Sequence, residues 1–316
     1  IINMPYKETT KHPKKEDYNP KSKKTENKEA KEKIKETEGK PKDQDFKIYG
    51  VKKKMDFLEI KKDLPRPLHT MLERGGGAVL IAAPPGSGKS NLLSNLFLRD
   101  EFFKDMFEGG FYVISPTAKS DLTSEHLMEY ADFVEEEMTE DLLTGIHQNI
   151  MAIPKEERQL SCILMDDCMG SRAMRQYTVL NKMISSNRHM KTLFMFSTQS
   201  IKSLNPNLRS CLSHSIIFYQ PSNKQFNDCV ELHSFFGGEE EFIKNYNIAC
   251  NPKYGFALCD WRDLKMYAWG AELDEPQLLW SRYDEDGNIS KNDKDPANNQ
   301  KEVNGEVTKG KLKTDN

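Results

Sequence analysis

No apolar run in this 316-residue chain approaches the roughly 18 residues needed to cross a bilayer, which excludes a membrane-spanning helix. No C-x-x-C pair occurs. Cys162, Cys168, Cys211, Cys229, Cys250 and Cys259 stand singly in apolar or helical runs, which argues against a disulfide framework or thiolate metal site and for a reducing compartment. Internal repeats, coiled-coil heptads and a recognisable signal peptide are also missing, so a soluble, intracellular protein without membrane insertion is expected. The sequence opens Ile1-Ile2-Asn3, so a start at Met4 or upstream is expected.

Large apolar residues are almost absent between Pro5 and Phe46, where Lys, Glu, Asn, Thr and Pro dominate. Such a segment cannot bury enough apolar surface to offset its ordering entropy, so residues 1–55 are predicted to be a disordered arm. The charged stretch 284–316 has the same character and is predicted to be a disordered tail. Between them, 56–283 is the expected folded domain. A net charge of −3 carries no sign of nucleic-acid binding by itself. Lys14-Lys15, Lys21 to Lys24 and Lys52 to Lys54 nevertheless make the arm basic, suited to contacts with phosphates or to solubilising the chain.

What is present centres on Ala78 to Leu98. The run Ala78-Val79-Leu80-Ile81-Ala82 reads as a strand, and Leu92, Leu93, Leu96 and Phe97 recur at helical spacing. Between them lies Ala83-Pro84-Pro85-Gly86-Ser87-Gly88-Lys89-Ser90-Asn91. A strand, a glycine-rich turn and a helix opening on Lys-Ser form a phosphate cradle. Backbone N–H groups meet the phosphates, the Lys89 ammonium reaches the terminal phosphates and the Ser90 hydroxyl ligates magnesium. Ala83 replaces the glycine usual at the first position, which requires that its φ not be positive. These residues predict binding of ATP with Mg2+.

Further buried strands are predicted at Phe111 to Ile114, Cys162 to Met165, Thr192 to Phe196 and His214 to Tyr219. Helices are expected at about Ser124 to Glu135, Thr139 to Ala152, Met174 to Asn187, Lys224 to Phe235 and Glu239 to Ile248. Short apolar runs alternating with helices imply an α/β P-loop NTPase with a central, mostly parallel sheet and helices on both faces. Tyr254 to Cys259 and Lys265 to Trp269 read as a C-terminal β-hairpin at the sheet edge, with Trp261, Tyr267 and Trp269 as packing residues rather than base-stacking platforms.

Asp166-Asp167 ends the third strand, the place where a nucleotide-hydrolysing enzyme holds a metal-binding carboxylate and a base. Asp166 takes the metal role and Asp167 the base role. Gln199, after the fourth strand, has an amide suited to sensing a γ-phosphate or aligning water if that strand lies beside the other two. Pro116-Thr117-Ala118-Lys119 forms a turn suited to nucleotide or DNA contact. Arg188 and Arg209 are candidates for stabilising charge across a subunit boundary, or for surface ion pairs. His189 and His214 are assigned no role.

The order of these motifs, from Ala83–Ser90 through Ser115-Pro116-Thr117, Asp166-Asp167, Asn187-Arg188-His189 and Ser197-Thr198-Gln199, resembles the FtsK–HerA superfamily of DNA-pumping ATPases. The likeness is nearest to the poxvirus-type genome-packaging ATPases of large DNA viruses and virophages, and it covers about Leu64 to Tyr219. It implies a homo-oligomeric ring, hexamer or pentamer, that threads double-stranded DNA on ATP hydrolysis. It also implies Gln199 as γ-phosphate sensor, Arg188 or Arg209 as a finger acting in trans, a capsid or portal partner, and a viral replication or assembly site in host cytoplasm. A P-loop helicase and a nucleotide-switched binding protein remain as alternatives. A kinase lid is not found, and Asn181-Lys182-Met183-Ile184 lacks the aspartate of a guanine reader, which favours ATP over GTP.

Overall fold

Apolar, partly β-branched runs account for the strands. In chain order these are β1 (Gly77–Ala82), β2 (Phe111–Ile114), β3 (Phe133–Glu135), β4 (Ser161–Asp166), β5 (Thr192–Thr198), β6 (His214–Phe218), β7 (Phe256–Asp260), β8 (Lys265–Gly270) and β9 (Leu273–Ser281). The computed structural model describes residues 60, 61, 63–168, 178–270 and 272–290. The predicted disordered arm, residues 1–55, lies outside the described residues, as does 291–316 of the predicted tail.

Among the described residues the nine strands form one sheet in the order β3-β2-β4-β5-β1-β6-β7-β8-β9. The first six positions are parallel, and β7, β8 and β9 run antiparallel beyond β6. Strands β1, β4, β5 and β6 are buried along their whole length, as expected of central parallel strands covered on both faces.

Side-chain alternation divides the core in two. Ala78, Leu80 and Ala82 of β1 face the same way as Phe194 and Phe196 of β5 and join one cluster. That face is covered by α4 (Glu140–Ala152), α5 (Thr178–Ser185), α6 (Asn187–Met190), α7 (Pro206–Ser210), α8 (Asn223–His233) and α9 (Glu239–Cys250). Val79 and Ile81 face the other way with Leu193 and Met195, under α1 (Arg66–Leu72), α2 (Lys89–Leu98) and α3 (Glu125–Tyr130). Helix α2 is seated by Leu93, Leu96 and Phe97, each worth about 1.5–3 kcal/mol of burial, with the Phe97 ring stacked on Phe111 at 4.3 Å.

Three expectations require correction. The predicted helix from Ser124 to Glu135 ends at Tyr130, and Phe133–Glu135 is instead strand β3, parallel to β2. Asp132 accepts a hydrogen bond from the Phe111 N–H at 2.7 Å, which draws the chain alongside β2 where Phe133 and Val134 favour an extended form. The predicted helix from Met174 to Asn187 is broken at Ser186, whose hydroxyl bonds back to Lys182 O at 2.7 Å; residues 174–177 lie outside the described residues. Third, the predicted hairpin has a further strand, β9, whose Pro276 falls in a bulged stretch at the sheet edge where a missing donor is tolerated. Beyond it Tyr283 bridges Ile289, so the first residues of the predicted tail pair with the end of the domain.

At the amino end of the parallel strands, the turn between β7 and β8 is tied to α1. Thr70 donates to Asp260 Oδ2 at 2.6 Å and lies 2.9 Å from His214 Nε2, and all three residues are fully buried. Arg262 donates to the carbonyls of Thr70 and Gly76, both at 2.6 Å. His214 is therefore a packed core residue.

Candidate nucleotide site

The phosphate loop leaves the carboxyl end of β1. Ala83 still pairs with the sheet, its N–H donating to Thr198 O at 3.0 Å, and the left-handed turns fall at Gly86 (φ +74°) and Gly88 (φ +96°). The alanine in place of glycine is thus accommodated because the chain is still extended there. Helix α2 begins at Lys89 directly after Gly88, with no side-chain cap and no acidic residue in its first turn. Its first N–H groups and the positive end of its dipole remain available to an anion.

Register sets the rest of the site. Strand β5 lies between β1 and β4, pairing Ala82 with Thr198 and Asp166 with Ser197, so the loop, Gln199 and the two aspartates emerge side by side. Lys89 Nζ is 2.7 Å from Asp166 Oδ1 and 2.8 Å from Asp167 Oδ2. Burial lowers the ammonium's pKa, but the two carboxylates outweigh it and the net shift is upward, so Lys89 is charged. Asp166 is the buried last residue of β4. Asp167 turns away in a left-handed conformation (φ +51°) with its N–H bonded to Ser197 O at 3.1 Å, which aims its carboxylate at the loop. Gln199 is exposed on the cleft wall, its backbone carbonyl held by Gln225 Nε2 at 2.8 Å.

A third carboxylate approaches from the segment after β2. Ser90 Oγ donates to Asp121 Oδ2 at 3.1 Å. Burial raises the Asp121 pKa, but hydrogen bonds from Ser124, Thr123 and Ser90 outweigh it and hold the acid below its ordinary range. Three carboxylates against one ammonium leave two negative charges around the loop, the amount one divalent cation balances. Ser87 Oγ and Ser197 Oγ are buried without a hydrogen-bond partner, but neither residue lines the cleft. Among the described residues no cluster of three acidic, histidine or cysteine side chains could hold a metal ion by itself, but the oxygens of Asp166 and Ser90 are the hard donors a magnesium ion takes when it is carried in with a phosphate ligand.

The cleft has a volume of about 1380 Å³. Thr117, from the predicted turn, lines it, whereas Lys119 is paired with Glu136 at 2.9 Å on the surface. Asn91 lines it as well. Tyr267 and Trp269 are buried on β8, inside the edge strand β9, and Trp261 donates to Ser215 Oγ at 3.1 Å, the packing roles expected of them. Arg188, exposed on α6, lies at the amino end of β5, where its carbonyl is 3.4 Å from the Cβ position of Gly75. Arg209 is half-buried on α7 before β6. Neither lines the cleft of its own chain. Asp121 and Tyr254, which also lines the cleft, were not legible in the sequence. Their approach is made by segments far away in the chain, and no local pattern marks it.

A phosphate loop on the central strand, paired acids one strand beyond its neighbour, and helices on both faces of a mostly parallel sheet define the fold of a P-loop NTPase. No protein-family model matches the chain, and no curated protein matches it in sequence. Among solved structures it is similar to the genome packaging NTPase B204 from Sulfolobus turreted icosahedral virus 2 in complex with ATP-gammaS. That match has 14% identity, covers 61% of this chain and 95% of that one, and has a TM-score of 0.44. It is also similar to the N-terminal domain of zonular occludens toxin from Neisseria meningitidis, at 22% identity over 47% and 78% of the two chains with a TM-score of 0.30. The cytoplasmic domain of the Type VII secretion ATPase EccC from Thermomonospora curvata is similar at 13% identity over 66% and 25%, with a TM-score of 0.41. These likenesses are of fold and weak in sequence.

Proposed function

We propose that the chain hydrolyses ATP and couples hydrolysis to the movement of double-stranded DNA, as in packaging a viral genome. The observation that carries the ATPase reading is the convergence of Lys89, Asp166, Asp167 and Gln199 at the aligned carboxyl ends of β1, β5 and β4. The DNA reading rests on the order of the motifs in the sequence.

A triphosphate seated on the loop draws the Lys89 ammonium from the two acids to its terminal phosphates. Asp167 is then free to accept a proton from the attacking water, and Asp166 and Ser90 to hold magnesium. The metal supplies charge neutralisation at the phosphate oxygens. Gln199 reports the presence of the γ-phosphate. Arg188 or Arg209 of a neighbouring copy completes the cation set, which fits a head-to-tail ring because both lie away from their own cleft.

The test is ATP turnover by the full chain with and without linear duplex DNA, alongside displacement of a third strand from a triplex. Duplex DNA should raise turnover severalfold and the third strand should be released. Lys89→Ala should lower turnover by about 10²–10³, the usual cost of losing one preorganised donor to the developing charge. Turnover indifferent to DNA, with the triplex intact, would refute the motor. Separation of duplex strands in place of triplex release would mark a helicase.

A further inference from the structure

The nucleotide reading accounts for the phosphate end of the cleft and leaves its other end without a task. A triphosphate on the loop with its γ-phosphate toward Asp166 and Asp167 points that end toward β4 and its nucleoside toward the opposite side of β1, where β6 and β7 lie. Strand β7 is two strand spacings from β1, about 10 Å, the reach of a nucleoside from the loop. There Pro252–Gly255 passes beside the loop. The Tyr254 ring lies so close to Gly88 that a Cβ at Gly88 would stand 3.1 Å from Tyr254 Cδ1.

Two features set Tyr254 apart. Its backbone is left-handed (φ +63°), a conformation that costs a bulky residue about 1–3 kcal/mol and persists only where its surroundings enforce it. The enforcement is visible: a Cβ at Gly270 would be 2.7 Å from Tyr254 O, and one at Gly255 2.5 Å from Ala249 O, so both glycines allow backbone to press on this turn. The ring is also accessible. Among the aromatic residues lining the cleft, Phe218, Phe256 and Trp269 are buried and Phe102 is partly buried against Trp269, whereas Tyr254 is 45% exposed. It also lines an adjoining groove of about 710 Å³ with exposed Tyr219, and Lys253 Nζ stands 5.0 Å from its ring centre. A held, strained, exposed aromatic ring beside a phosphate loop is what a flat heterocycle needs as a stacking wall.

We propose that Tyr254 is the platform on which the purine base of the bound nucleotide stacks. This rests on the proposed binding of ATP at the loop. The ring adds affinity for the base and none for the phosphates, so it separates a nucleoside triphosphate from inorganic tripolyphosphate.

Calorimetric titration of the full chain with ATP and with tripolyphosphate tests it. Tyr254→Ala should weaken ATP binding by roughly ten- to a hundredfold, the range for loss of one base–aromatic stack, and leave tripolyphosphate unchanged. Tyr254→Phe and Tyr254→Trp should keep the wild-type ratio of the two affinities. Tyr254→Gly, which removes the backbone strain, should behave as Tyr254→Ala. Equal loss for both ligands in Tyr254→Ala would overturn the proposal, since the ring would then act through the shape of the loop. No change for either would overturn it too. Failure of the wild type to bind either ligand would refute the nucleotide site itself, which is distinguishable from a Tyr254 variant that binds like wild type.

Discussion

At the amino end of the parallel strands, Thr70, His214 and Asp260 are fully buried and bonded to one another, and Arg262 closes the group onto two backbone carbonyls. At the carboxyl end, one β1 length away, Lys89 serves two carboxylates at once and a third carboxylate meets Ser90. The two ends use similar side chains with opposite results. Side-chain charges and donors at the amino end are bonded mostly within the chain, though Arg262 Nε is buried without a partner, and these bonds pin α1 and the β7–β8 turn to the sheet. At the carboxyl end the groups are mismatched by two negative charges and held on left-handed backbone at Asp167, which is how a site for a metal-bearing polyanion is built. Loss of a side chain should therefore affect turnover at one end and stability at the other.

The largest effect is expected at Asp167. Asp167→Asn keeps a residue that tolerates positive φ while removing the base, so turnover should fall by about 10²–10⁴. The melting temperature should move by less than about 3 °C, the shift that roughly 1 kcal/mol produces in a domain of this size. A large loss of stability would mean that the carboxyl end is a structural pin as well. Next in size is Asp260→Ala, which takes the carboxylate from buried His214 and Thr70 and the acceptor from the Arg262 and Asp263 N–H groups. We expect a loss of about 3–5 kcal/mol in denaturant titration, with turnover per folded molecule unchanged. A fall in turnover without a fall in stability would erase the distinction between the two ends.

Much of the carboxyl end was legible in the sequence because its parts are local: a strand, Gly86 and Gly88, Lys89 and Ser90, and two acids after an apolar run. Their adjacency was not, since it depends on β5 entering between β1 and β4, which sheet order decides and periodicity does not. Asp121 reaches Ser90 only through the folding of the segment after β2, 31 residues along the chain. The amino-end network was invisible for the same reason: Thr70, His214 and Asp260 come from three distant segments. Strands β3 and β9 were missed because both are edges. One has three residues, the other carries Pro276 and acids, and in both pairing with a neighbour outweighs local preference.

A smaller and more graded difference between the ends comes from pH. His233 is fully buried on the same side of the sheet as α9, its Nδ1 2.8 Å from Cys229 O and its Nε2 2.7 Å from Ser215 Oγ. Phe242 stacks on the ring at 5.2 Å and Trp261 meets it edge-on at 5.4 Å, so the imidazole lies among aromatic rings. Burial pushes its pKa down to about 4 from 6.5, with the bond to Cys229 opposing. Because the folded value lies below the unfolded one, the unfolded chain takes up a proton first as pH falls. Stability is fully present above about pH 6.5 and declines toward pH 4, by about 1.4 kcal/mol per unit and about 3 kcal/mol in all. His214, whose pKa burial also lowers, adds in the same direction. Urea midpoints at pH 7 and pH 4.5 should show this decline in the wild type and a shallower one in His233→Gln. Parallel curves for the two proteins would mean that His233 is not the buried neutral group.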